Sequence, residues 1–168
     1  MVLPTLFTKG VSRMELAKPL SLELLKQQDK SVLLLFFGYS GCVDVCIPRL
    51  TSLAQFYETS ESATQKALGV VFMDISLPKD ETLSQRFAEF FHKSFVGIQL
   101  TKQQLREYTK PFDVSFAPSL MQEGEYEHSA NLYLLKQDGK TQELRYVYTA
   151  YPYDFEQIRA DIKELMNE

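Results

Sequence analysis

The chain has 168 residues, with 45% hydrophobic and 24% charged side chains and a formal net charge of −4. That length suits one domain with a full core and no covalent staples. The mild negative charge leaves no footprint for nucleic acid or an anionic membrane, and no apolar run approaches the roughly 18 residues that span a bilayer. MVLPTLFTKG lacks the basic start, apolar centre and cleavage site of a signal peptide, so an anchor or signal, if the natural protein has one, is expected outside these residues.

In chain order, residues 1–18 read as irregular, with room for a short strand or hairpin. Ser21 is a candidate cap for a short helix carrying Leu22, Leu24 and Leu25. Val32 to Tyr39 is almost continuously apolar and aromatic, which suits a strand buried on both faces. It breaks at Gly38 and Gly41, and the only two cysteines of the chain follow, Cys42 and Cys46. Beyond Pro48, Leu50, Leu53, Ala54 and Tyr57 recur at helical spacing, and a polar segment surrounds Ser60–Thr64. Leu68 to Ile75 reads as a second buried strand closed by Pro78. Leu83, Phe87, Phe90 and Phe91 then share one face of a helix.

Phe95 to Leu100 predicts a short strand, and Thr101 with Gln104 a capping box on a helix that carries Leu105 and Tyr108 and ends near Pro111. The runs 131–136 and 142–148 flank Asp138-Gly139, a hairpin signal. Asp154 with Gln157 caps a last helix striped by Phe155, Ile158, Ile162 and Leu165. The aromatic count is absorbed by core positions, so no exposed patch is expected. This β-α-β-α-β-α order, closed by a hairpin and a helix, predicts a thioredoxin-like α/β fold. It has three layers (α/β/α), a central mixed sheet and a C-terminal β-hairpin plus helix.

The chemistry centres on the cysteines. Their spacing is C-x-x-x-C, not the C-x-x-C of a thioredoxin motif or a zinc knuckle. On a helix, residues four apart share one face about 6 Å apart along the axis, within disulfide range though with strained Cβ directions. A helix N-terminus would lower the thiol pKa and favour thiolates. Two thiolates underfill zinc's tetrahedral site and no third cysteine completes it, whereas copper(I) needs only one further donor. Two buried structural thiols are the plain alternative. The further donor has two candidates. His92 ends an apolar helix, where a cation at the C-terminus explains it. His128 stands just before the strand at 131–136, in a loop that faces the cysteine turn in thioredoxin-like folds, and it could equally be a loop histidine without a role.

Phe37-Gly38-Tyr39-Ser40-Gly41-Cys42-Val43-Asp44-Val45-Cys46 resembles the F-G-Y-S/T-x-C-x-D-x-C signature of the Sco/SenC/PrrC family. Glu127-His128-Ser129-Ala130, with Asp138-Gly139-Lys140 beyond it, resembles that family's D/E-H-S-x…D-G-K, and Phe91-His92-Lys93-Ser94-Phe95-Val96-Gly97 its F-H-x-x-F-x-G. The likeness covers roughly residues 20 to 166, with the cysteine and histidine motifs in order and about eighty residues apart. It implies a copper metallochaperone that holds copper(I) or copper(II) through Cys42, Cys46 and His128. The implied partner is subunit II of cytochrome c oxidase, whose dinuclear copper centre such proteins help assemble, or another copper or thiol client. The implied location is periplasmic or otherwise extracytoplasmic, anchored to the membrane in the full-length protein.

The chain departs from the family pattern in three places. Val43 and Ile47 stand where many members have proline, and Pro48 comes one residue late. Ser76-Leu77-Pro78-Lys79-Asp80 replaces V-D-P-x-x-D and loses its first aspartate, a candidate oxygen ligand for copper(II). Asp44 is retained between the cysteines, for a role beside the metal or toward a partner. Two other readings stand beside the copper one. In a thiol–disulfide oxidoreductase the redox-active pair Cys42 and Cys46 cycles and the metal is incidental. In a peroxiredoxin-like peroxidase, Arg49 is the arginine nearest in sequence to the cysteines.

Overall fold

A computed structural model describes residues 12–77, 80–118, 126–128 and 130–168, with 116–118 and 126–128 described by their backbone. Its main sheet has the order β1-β8-β7-β2-β3-β4. Here β1 is Arg13–Leu20, β2 Val32–Gly38, β3 Leu68–Asp74, β4 Val96–Gln99, β7 Leu132–Gln137 and β8 Gln142–Tyr148. β2, β3 and β4 run parallel, and β7 joins β2 antiparallel and pairs with β8 as the second arm of a hairpin. The sheet is therefore mixed, in the thioredoxin-like arrangement.

Strand alternation splits the core in two. Val32, Leu34 and Phe36 point to one face, with Leu68, Val70, Phe72, Leu132 and Leu134. Helices α2 (Cys46–Glu58), α4 (Leu83–Phe91) and α6 (Phe155–Met166) cover that face. Leu33, Leu35 and Phe37 point to the other face, under α1 (Glu23–Lys26) and α5 (Lys102–Thr109). Every residue of β2 is buried, which is why it reads as a continuous apolar run rather than an alternating one.

Several local expectations are corrected. The short strand allowed within residues 1–18 forms, but as the eight-residue edge strand β1 on β8 that runs on to Leu20, whereas residues 1–11 lie outside the described residues. Leu22, not Ser21, holds the N-cap of α1, and the Ser21 hydroxyl instead accepts from Lys26 Nζ. The polar segment after α2 continues into a short helix, α3 (Ser62–Ala67). α4 buries Ser84 and Ala88 and turns Phe90 outward at 79% exposure, so the four apolar residues do not share one buried face. Pro78, expected to close the second strand, lies outside the described residues, as do Lys79 and Ser129. A two-stranded ribbon not foreseen from the sequence, β5 (Phe116–Pro118) with β6 (Tyr126–His128), precedes β7. The caps at Thr101 and Asp154 form as expected, the first as a full capping box with Gln104.

Candidate metal and thiol site

The site is built at the end of β2. Beyond Gly38 the chain turns at Tyr39–Val45, where the Cys42 amide donates to the Tyr39 carbonyl at 3.1 Å and Gly41 takes a φ of +88° that favours glycine. Cys42 therefore lies in the turn and Cys46 begins α2, so the pair does not share a helical face. The spacing still works because the turn folds back: the Cys46 amide donates to the Cys42 sulfur at 3.3 Å. Both thiols are buried, Cys42 at 3% and Cys46 at 0% exposure.

Gly38 makes room for the second sulfur. A Cβ there would stand 2.6 Å from Cys46 Sγ and 2.9 Å from the Phe72 ring, so the glycine is needed for close approach. The expected lowering of the thiol pKa is corrected for Cys46. Its hydrogen bond with Cys42 and its burial push it well up, against a backbone hydrogen bond at Tyr39 that favours the thiolate. The Cys46 thiol of the pair therefore holds its proton.

His128 is at the end of β6, where its backbone pairs with Phe116, and the chain then runs into β7, whose Leu132 lies opposite Phe36 of β2. β7 thus starts at the end of the sheet from which the cysteine turn departs. Among the described side chains no three metal-ligating groups come together. His92 caps the end of α4, where it pairs with Glu58 and packs against the rings of Tyr57 and Phe95. Asp44 is exposed in the turn. Arg49 donates to the Val45 carbonyl at 3.3 Å and lies 4.3 Å from the centre of the Tyr151 ring.

Sequence reasoning missed two features. Asp74, fully buried at the end of β3, accepts from the Ser40 hydroxyl of the cysteine turn at 2.6 Å. Read inside the apolar run Leu68 to Ile75, it gave no sign of facing that turn. Val43, Leu77 and Tyr151 are 61%, 48% and 40% exposed, so apolar side chains do reach the surface, all three on loops at the cysteine end of the strands. Tyr153, close by, is buried. Burial pushes its phenol up, Arg49 works against that, and the proximity of Tyr151 and Cys46 adds to it.

A family model described as SCO1/SenC matches residues 26–167. A Stutzerimonas stutzeri protein, provisionally named as copper-binding, is 27% identical over 125 residues, 73% of this chain and 60% of that protein. The chain thus spans less than two thirds of that relative. Apo Sco1 of Thermus thermophilus is 27% identical with a TM-score of 0.68, covering 94% of this chain and 95% of its own. Arabidopsis thaliana ScoI, solved with copper bound, is 15% identical with a TM-score of 0.69, covering 92% and 99%. No helix among the described residues is long and apolar enough to cross a membrane.

Proposed function

The chain belongs to the SCO1/SenC family, and on that premise we propose that it is a copper metallochaperone, holding copper through Cys42, Cys46 and His128 and helping to assemble the dinuclear copper centre of cytochrome c oxidase. The observation that carries this reading is the pairing of two buried cysteines, the Cys46 amide donating to the Cys42 sulfur while the Cys46 sulfur sits over the notch at Gly38. Soft, polarizable donors at that spacing suit copper(I), and an imidazole as third donor suits both oxidation states. The exposed Val43, Leu77 and Tyr151 offer an apolar margin to a client. The whole chain acts as one thioredoxin-like unit, on the outer side of a membrane and tethered there in the full-length protein.

Anaerobic copper(I) titration of reduced protein against a chelator of known affinity tests this, with wild type beside His128→Ala. One copper per chain is expected, with affinity falling at least about tenfold without the imidazole, or about 1.4 kcal/mol. Equal affinity in the variant removes His128 from the site. Absence of tight binding in the wild type overturns the metallochaperone reading.

The same pairing of the buried cysteines favours a second reading, a thiol–disulfide oxidoreductase. Its two thiols would close to a disulfide while a client disulfide takes the two electrons and two protons. That reading predicts client reduction that survives His128→Ala and is abolished by replacing either cysteine. The peroxidase reading gains nothing from Arg49, which is engaged with Val45 and Tyr151.

A further inference from the structure

Gly38 and Asp74 are register partners on adjacent parallel strands, one of the two receiving the Cys46 sulfur and the other bearing a carboxylate toward the same face. Neighbouring strands lie about 5 Å apart, so the carboxylate sits beside the seat of the sulfur. Asp74 Oδ2 accepts from the Ser40 amide at 3.3 Å, the Ser40 hydroxyl at 2.6 Å and the Ser84 hydroxyl at 2.8 Å. Oδ1 accepts from the Ser76 amide at 2.9 Å and its hydroxyl at 2.5 Å. Among the described residues no lysine, arginine or histidine forms an ion pair with it. A fully buried carboxylate held only by amides and hydroxyls is costly compared with a neutral residue of the same shape. Its donors also come from three separate segments: the cysteine turn, the loop after β3, and α4.

We propose that Asp74 is a positioning residue for the cysteine pair, its buried carboxylate anchoring the turn at Ser40 so that the Cys42 sulfur is delivered to Cys46. The anchor stands two residues before Cys42, and its other end is fixed by Ser84 on a helix that packs closely on β4. A Cβ at Gly97 of β4 would lie 2.0 Å from the Ser84 carbonyl oxygen. The turn is thereby referenced to the rigid part of the sheet. Oriented, pre-placed thiols react or ligate as a unit, and a small displacement of one of them lowers the rate steeply.

The test uses the metal-free, reduced protein with glutathione disulfide as oxidant. The two protein thiols give up two electrons and two protons, one disulfide forms, and two glutathione molecules are released. The rate of the second, intramolecular step is read by acid quench and mass spectrometry. Ser40→Ala should slow ring closure by roughly tenfold, Ser40→Thr should restore it, and Asp74→Asn should slow it at least as much. The carboxylate adds a readout that a merely structural role would not move. This second readout rests on the copper reading above. A fixed negative charge stabilises the more positive copper(II) over copper(I), so Asp74→Asn should raise the potential of bound copper while Ser40→Ala leaves it nearly unchanged. Closure at the wild-type rate in Ser40→Ala overturns the proposal, as does an unchanged potential in Asp74→Asn. If Asp74→Asn does not fold, the pair Ser40→Ala and Ser40→Thr decides. Failure of copper to bind would count against the metallochaperone reading alone and leave the closure test standing.

Discussion

Two aspartates of this protein are equally buried and solve the same problem in opposite ways. Asp161 on α6 receives Arg13 Nε at 2.8 Å and Nη2 at 2.6 Å, the Tyr148 hydroxyl at 2.6 Å and Gln157 at 2.9 Å. Burial works to raise its pKa, but the bonds from Arg13, Tyr148 and Gln157 prevail and hold it below the ordinary value. Arg13 comes from β1, 148 residues away, so this pair clamps the first strand to the last helix. Asp74 has no such cation and is held by serines around the cysteine turn. One carboxylate is neutralised and closes the fold. The other is held by serine hydroxyls and amides at the cysteine turn, after β3 and on α4. The acid with a cation partner ties the first strand to the last helix, and the acid without one among the described residues ties the cysteine turn to α4.

The comparison is broken most forcefully at Arg13. Arg13→Met strands the Asp161 carboxylate and should cost about 3 kcal/mol in denaturant unfolding while leaving copper affinity unchanged, since β1 lies three strands across the sheet from β2. The sign with pH follows from the lowered carboxylate. Its stabilisation is complete above the unfolded aspartate value near ~3.9 and is lost as pH falls through the lower folded one. Wild type should therefore lose stability more steeply than Arg13→Met on acidification below about pH 4. Next in size is Gly38→Ala, which forces a methyl against Cys46 Sγ and Phe72 and should cost about 2 kcal/mol. Unlike Arg13→Met, it should weaken copper binding in the same chelator titration. Ser84→Ala removes one buried donor from Asp74 and should cost about 1 kcal/mol by the same unfolding assay. Glu168→Gln is the smallest. Arg145 and then Lys136 hold that carboxylate at about 2, yet it is a surface network, and the loss in denaturant unfolding should stay below about 0.5 kcal/mol.

What could be read from the sequence were features whose causes are local. β2 and β3 announced themselves because both faces are buried, the hairpin because Asp138-Gly139 accepts a turn with Gly139 at a φ of +86°, and two helix starts because their caps bond three residues on. β1 was illegible because Arg13, Glu15 and Lys18 look like loop polarity. Only the pairing with β8 and the ion pair to Asp161 make a strand of them. Cys42 and Cys46 were visible as a pair, but not that the first precedes the helix, since the hydrogen bond that folds the turn back depends on tertiary packing. Phe90 misled because periodicity gives a face and not its partner. The histidine was suggested by family likeness, as spacing alone cannot join residues eighty apart.

The burial of both sulfurs also bears on kinetics. With Cys46 fully enclosed and Cys42 nearly so, the client disulfide of the oxidoreductase reading would reach either sulfur only once the Tyr39–Val45 turn opens. Exchange then becomes a gated process, a unimolecular opening ahead of the bimolecular encounter. At low client concentration the rate rises in proportion, and at high concentration it levels off at the opening rate, whatever the client. Under that reading such a gate would shield the sulfurs from small oxidants between encounters and make the frequency of opening the clock of exchange.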